Sequence, residues 1–307
     1  MTKVKKNVFE KKRYVILLAL LCTLLWGSAF PGVKISYQYF GITNDKINQT
    51  MLLAGFRFSM AGIVTLIVYF IVSKRVFLPE RQQMKGIVIT GVVQTCMQYL
   101  FFYIGLSNIT GAKGAILATT ITFFSVFISH FMFHEEDQLN LRKVTGCIIG
   151  FIGILIINIK SGGNLGKFTL LGDGLMLLST FSAALGAMIS KVVAKKLNPV
   201  MLTGYQMTLG GTLLIIVGFL NGARLNSASV KGYGLLVYLA LVSAIAFSIW
   251  TTLLKYNQPS KIAIFNFAIP IFGAILSAIF LGDPIVSIQN LLALFCVCMG
   301  IYVVNKV

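Results

Sequence analysis

The chain has 307 residues, 57% of them hydrophobic and only 11% charged, with a mean hydropathy of +0.87. Ten spans of about 20 residues, each able to cross a bilayer core of about 30 Å, would use about two thirds of it, and no remaining polar stretch could bury a core of its own, which excludes a soluble catalytic, DNA-binding or receptor domain. The formal net charge of +18 is scattered over short connections and an N-terminal tail, so it reads as membrane topology and not as a nucleic-acid surface.

Residues 1–13 form a basic tail with Lys3, Lys5, Lys6, Lys11, Lys12 and Arg13. The apolar run that follows, 14–33, is too long for a signal peptide and lacks a small-residue cleavage site, so it is expected to be a retained first helix. It carries Trp26, Gly27 and Pro31. Further spans are predicted at 50–72, 84–106, 111–133, 143–159, 169–190, 200–220, 232–254, 262–281 and 288–305, with 160–168 as a linker between two halves, 14–159 and 169–305. The expected fold is an all-α polytopic membrane protein of ten transmembrane helices. Lys and Arg favour the connections on the N-terminal side by 18 to 7, Arg57 inside a helix completing the 26. Both termini are then cytoplasmic and the protein is a multi-pass resident of the plasma membrane. The five cysteines all fall in apolar runs, where a thiol behaves as a small hydrophobe.

The second span holds Arg57, the one firm charge inside a span, about 9 Å past the apolar start at Met51 at 1.5 Å per residue. An intramembrane charge is a functional hypothesis by default. Because the acidic residues sit at or near helix ends, two roles stay open: a clamp on helix-terminal carbonyls or a loop acid, or a receiver for a substrate carboxylate. On the third span, Gln94 and Gln98 share a helical face, with Phe102 one turn further on. Trp250 and Ala246 are their counterparts on the eighth span. Asn266, Pro270, Gly273 and Ser277 form one stripe on the ninth, matched by Thr122, Ser125 and Ser129 on the fourth. Amides are costly to leave unpaired in lipid, so Gln94, Gln98 and Asn266 are assigned to a central pathway, with Trp26, Phe102 and Trp250 as aromatic lining; the small and hydroxylated residues suit helix packing. Pro31 and Pro270, the two prolines inside spans, are hinge candidates. Gly146 and Gly150 suggest a close helix contact. His130 and His134 have a spacing that could suit a metal, but no third ligand is fixed, and they read as an interfacial pair. No metal, cofactor or catalytic residue is expected.

Sliding the halves by about 148 positions aligns "TGAKGA" (110–115) with "QPSKIA" (258–263), Lys113 with Lys261, and "FHE" (133–135) with "LGD" (281–283). Gly153 and Asn158 meet Gly300 and Asn305 at 147, and Phe56 and Arg57 meet Tyr205 and Gln206 at 149. Units of five spans, an odd number, must insert upside down relative to one another, the inverted-repeat plan of secondary transporters.

The runs "LLWGSAFPGVK" (24–34), "AGFRFSMAGIVTL" (54–66), "FFYIGLSNITGAKGAIL" (101–117) and "AIPIFGAILSAIFLGD" (268–283) resemble the EamA-type drug/metabolite transporter family along the whole chain. The resemblance implies a ten-helix, two-repeat carrier of small metabolites, often amino acids or amines, usually directed outward. It commonly places a basic residue at the position of Arg57, which favours the clamp. Two departures stand out: Thr122 replaces the proline expected opposite Pro270, and Asp283 replaces the usual glutamate after the ninth span. The expected function is therefore a secondary exporter working by alternating access, with a small molecule and the bilayer as partners and a second copy of the chain kept open. The alternatives are an uptake carrier, a channel, which would need a continuous polar pore, and a lipid-acting enzyme, which would need a catalytic dyad or metal constellation.

Overall fold

The computed structural model describes residues 7–43, 46–74, 79–109, 111–159, 168–226, 228–281 and 288–305. Lys3, Lys5, Lys6, Asp45, Asp283 and linker residues 160–167 lie outside the described residues. All regular structure among the described residues is helical. The elements are α1 (Lys12–Tyr39), α2 (Ile47–Ser73), α3 (Arg81–Thr90), α4 (Gln98–Ser107), α5 (Gly111–Ala118), α6 (Thr120–Met132), α7 (Leu141–Ile159), α8 (Leu175–Lys196), α9 (Pro199–Leu220), α10 (Val230–Tyr256), α11 (Pro259–Ala263), α12 (Ala268–Leu281) and α13 (Ile288–Asn305). A π-helical stretch, Gly91–Met97, joins α3 to α4, and another, Leu170–Gly174, leads into α8. Counting these joined segments, eight helices among the described residues are long and apolar enough to cross a membrane; α7 and α13 are shorter companions.

Chain ends of the helices follow local chemistry. Asn198 caps α9 by accepting from the amides of Val200 and Met201 at 2.9 and 3.4 Å, with Pro199 in the first turn, where its missing N–H costs nothing. α1 and α9 both stop at a glycine with positive φ, Gly41 at 61° and Gly222 at 75°. The following amides, Ile42 and Ala223, then reach back five residues to the carbonyls of Tyr37 and Gly218. A side chain at either glycine would resist that left-handed turn.

The first helix runs six residues past its expected end and passes through Pro31. Proline removes the amide that would bond the Gly27 carbonyl. Gly27 is also where α1 crosses α12: a Cβ there would lie 2.6 Å from Phe272 Cβ and 3.0 Å from the Gly273 amide nitrogen. The expected ninth span is broken: α11 gives way to a 3₁₀ turn, Ile264–Phe267, before α12 begins. Pro270 explains the break, because it cannot bond the Asn266 carbonyl four residues back. The expected fourth span breaks at Thr119 without a proline. The amides of Thr119 and Thr122 each bond three residues back there, at 3.2 and 3.1 Å. The Thr122 hydroxyl, at the position equivalent to Pro270, instead reaches the Ala263 carbonyl at 3.4 Å, tying one broken helix to the other.

Close backbone approach sets the packing, as expected in lipid, where helices associate through small residues. α2 and α9 cross where Gly55, Ser59 and Gly62 meet Gly204, Thr208 and Gly211; a Cβ on Gly62 would sit 2.4 Å from the Thr208 amide nitrogen, and one on Gly211 at the same distance from that of Ser59. α7 and α13 cross at Gly146, Gly150 and Gly300, where a Cβ on Gly300 would lie 2.7 Å from the Gly146 carbonyl. The remaining large contacts are α1 with α10 and α12, α8 with α4 and α6, α9 with the π stretch, and α10 with α2.

Candidate functional site

The helices that pack around α10 bring together side chains from α1, α2 and α4. Trp26 lies 5.0 Å from Trp250 and 5.2 Å from Phe247, ring centre to ring centre. Phe58 lies 6.4 Å from Phe247 and 4.2 Å from Tyr99. Tyr99 continues the chain of rings to Phe102 at 6.4 Å and Tyr103 at 6.3 Å. The two Trp26 pairs, Phe58–Phe247 and Tyr99–Phe102 are edge-to-face, a geometry that prefers centroid separations of about 4.5–7 Å, while Phe58–Tyr99 and Tyr99–Tyr103 are tilted. The three aromatic residues singled out in the sequence, Trp26, Phe102 and Trp250, thus belong to one connected cluster.

Arg57 enters this cluster and is only 7% exposed. Its guanidinium carbon lies 5.0 Å over the Phe58 ring. Nε donates to the Leu239 carbonyl at 3.3 Å and to Ser243 Oγ at 3.0 Å, both on α10. Ser243 itself donates back to the Leu239 carbonyl at 3.0 Å, so hydroxyl and carbonyl form a ready-made acceptor pair. Among the described residues, the two terminal amino groups of Arg57 make no hydrogen bond, and its charge is felt by Tyr37, Tyr99 and Tyr103. Arg57 therefore clamps α2 to α10 through a mid-helix carbonyl rather than a helix-terminal one, and it does so with one nitrogen of three.

The other sequence-chosen residues lie elsewhere. Gln94, in the π stretch and 4% exposed, packs its Cα and Cβ against Gly186 and accepts from Ser190 Oγ at 2.6 Å, both on α8. Gln98 is half-buried, and its main-chain carbonyl accepts from Ser179 of α8 at 2.8 Å. The two glutamines thus address the α8 interface. Asn266 is buried in the 3₁₀ turn ahead of Pro270. Gly273 faces Phe30 and Gly27 of α1, and Ser129 bonds Asp137, so these serve helix contacts. The His130 and His134 rings are 4.8 Å apart, with His130 Nδ1 accepting from the Leu139 amide at 3.2 Å.

Sequence reasoning missed Tyr37, Phe58, Tyr99, Tyr103 and Phe247. Aromatic residues are abundant here, and only the tyrosine spacing 99 to 103, two hydroxyls on one face of an apolar helix, gave a signal. It also missed a polar cluster at the end of the molecule shared by the α6–α7 connection, the end of α8 and the start of α11. There Asp137, 1% exposed, accepts from Ser129, from Lys143 Nζ and from both the hydroxyl and the amide of Ser260, the last at 2.9 Å. Burial alone would raise its pKa, but the hydrogen bonds from Lys143, Ser129 and Ser260 outweigh it and hold the carboxyl below its ordinary value. Neighbouring Glu136 pairs with Lys195 at 3.1 Å and Lys191 at 3.3 Å, and these bonds lower its pKa too. At the opposite end, Lys113 pairs with Asp173 at 2.7 Å.

Comparison with known proteins places this arrangement. A solved crystal structure superposes with a TM-score of 0.76 at 17% identity, covering 94% of this chain and 95% of that one, a likeness of fold. An "Uncharacterized transporter" of Archaeoglobus fulgidus is 25% identical over 95% of this chain and 98% of its own length. The "Uncharacterized transporter YvbV" of Bacillus subtilis is 26% identical over 96% and 92%. A protein of Escherichia coli named "Probable amino-acid metabolite efflux pump" is 23% identical over 93% of each chain. The EamA-like transporter family matches residues 13–159 and again 170–306. With both halves matched, the chain belongs to the EamA-like transporter family and is a multi-pass membrane transporter, not an enzyme.

Proposed function

We propose that the protein exports a small metabolite, of the amino-acid or amine class, by alternating access between two inverted five-helix repeats, 14–159 and 169–305. The observation that carries this reading is the placement of Arg57: a charge buried within a membrane-spanning helix, beside aromatic side chains, and bridging α2 to α10. Such a charge is expensive unless function requires it.

The pairing of helices supports the repeat. α2 against α9 and α7 against α13 join equivalent helices, and α1 against α12 is mirrored by α6 against α8. Each fourth helix of a half is broken at an equivalent place, Thr119 and Asn266 being 147 residues apart. Broken helices at the interface of inverted repeats are where carriers build their sites. Orientation follows the charge: the Lys143, Lys191 and Lys195 end is cytoplasmic, and with it both chain termini, in a plasma-membrane protein. Between the halves, Trp26, Phe102 and Trp250 line the substrate path, Asn266 offers a polar contact at the break ahead of Pro270, and Pro31 and Pro270 act as hinges. The relative named as an amino-acid metabolite efflux pump agrees with the outward direction.

The test is metabolite profiling of cells and medium, comparing overexpressed protein, empty vector and the Arg57→Gln and Trp26→Ala variants at matched membrane abundance. A few compounds enriched in the medium by the intact protein, and at least ~10-fold less by either variant, are expected. Equal enrichment with both variants would overturn the assignment of the site.

A further inference from the structure

The aromatic cluster is unusual in the balance of its polar atoms. On the donor side are the two terminal amino groups of Arg57, without hydrogen bonds among the described residues, and the Trp26 Nε1–H, which is buried without a partner. Hydroxyls of Tyr37, Tyr99 and Tyr103, which can donate or accept, stand in the field of the guanidinium. The best acceptors nearby, the Leu239 carbonyl and Ser243 Oγ, are already taken by Arg57 Nε. Every described carboxylate, Glu10, Glu80, Glu135, Glu136, Asp137 and Asp173, lies at a helix end or in a connection.

The Arg57 guanidinium, 7% exposed and with two terminal amino groups that make no hydrogen bond among the described residues, leaves an opening for a further partner. The group that fills it is an anion with two oxygens, because a planar carboxylate matches the guanidinium fork. An amine brings a second positive charge into the same low-dielectric space and is repelled. The rings of Trp26, Phe58, Phe247 and Trp250 supply an apolar surface beside the charge.

We infer that the transported solute is a carboxylate carrying an apolar body, bound with its carboxylate on the terminal amino groups of Arg57 and its apolar part against Trp26 and Trp250, and that a free amino group is not what the site recognises. This rests on the export reading above and narrows its substrate class to the anionic side.

The site contains its own reporter, since Trp26 and Trp250 are the two tryptophans of the chain. The purified full-length protein in detergent is titrated with 3-cyclohexylpropionate, its primary amide and 3-cyclohexylpropylamine, which share a body and do not absorb in the tryptophan band. Saturable change of tryptophan emission by the carboxylate is expected, with the amide at least ~10-fold weaker and the amine at least ~100-fold weaker. In Arg57→Gln, the preference for carboxylate over amide should vanish, while Arg57→Lys keeps part of it. Where Arg57→Gln fails to fold, the three-probe ranking in the unmodified protein decides alone. Equal response to amide and carboxylate, a stronger response to the amine, or no response to any probe overturns the anion assignment. Export of some other solute in the profiling experiment would still leave the transport reading intact, and absence of export there strikes that reading instead.

Discussion

Asp137→Asn tests the polar cluster that ties α6, α7 and α11 together. The native carboxylate is 1% exposed and receives four hydrogen bonds, among them the ion pair with Lys143, itself only 4% exposed. The amide isostere keeps the volume but loses the charge, and half of its hydrogen-bonding atoms become donors facing donors. Lys143 then remains buried with only the Gln138 carbonyl. Breaking one partner of a buried pair costs about 3–5 kcal/mol, which at roughly 2–4 °C per kcal/mol lowers the midpoint of thermal unfolding by about 6–20 °C. The measurement is thermal unfolding in detergent followed by exposure of the buried thiols of Cys22 and Cys147 to a maleimide dye. Removing both charges, in Asp137→Asn with Lys143→Met, should recover part of the loss, a positive coupling in a double-mutant cycle. A midpoint within about 1 °C of wild type for the single variant would refute the reasoning, because a buried, four-fold satisfied carboxylate cannot be that cheap to remove.

The same carboxylate gives a pH prediction: its pKa is held below the ordinary value, so its stabilisation is full above about pH 4 and is lost as pH falls through the depressed folded-state value. Unfolding midpoints at pH 7 and pH 3 should therefore converge between wild type and Asp137→Asn at the acid end. Gly211→Ala should destabilise by about 1–3 kcal/mol, since the new Cβ lies 2.4 Å from the Ser59 amide nitrogen and α2 must back away; the reciprocal Gly234→Ala, with nothing within 4 Å, is the neutral control in the same melt. Pro270→Ala restores a donor for the Asn266 carbonyl and should straighten the 3₁₀ turn at Ile264–Phe267, lowering transport in vesicles at least several-fold with little loss of thermal stability. An impermeant maleimide applied to intact cells should label Asn48→Cys and spare Lys196→Cys, both exposed positions at opposite ends; the reverse pattern would invert the assigned orientation.

Much of the membrane architecture was legible because apolar runs and glycine spacing carry it locally. Gly146 and Gly150 announced a close helix contact, and α7 meets α13 there. Trp26, Phe102 and Trp250 stood out as large aromatic residues within spans, and the fold brings them into one cluster of rings. What could not be read was anything set by partners far apart in sequence. The partner of Gln94 is one such case: Ser190, which donates to its amide, is 96 residues away. Asp137 is another: it is one of the acids near helix ends, and Ser260, which donates to it, lies 123 residues on. The π stretch at Gly91–Met97 has no proline to announce it; a Cβ on Gly91 would meet the Gln206 carbonyl at 2.8 Å, so the distortion belongs to the α9 contact. The break at Thr119 likewise follows from tertiary bonding where the sequence offered only the absence of a proline.

The crossing of α2 with α9 also constrains how the chain is made. Gly62 and Gly204 are partners in that crossing, so about 140 residues must be synthesised after α2 before its mate exists. At about 5–20 residues per second, the small-residue face of Gly55, Ser59 and Gly62 waits in the bilayer for roughly 7–30 seconds. Through that interval it is a sticky surface of the kind that binds any helix of complementary shape. Nascent chains halted in the α6–α7 connection should therefore be prime substrates for membrane quality control, and a burden of misassembled dimers should rise with any variant that slows translation between α2 and α9.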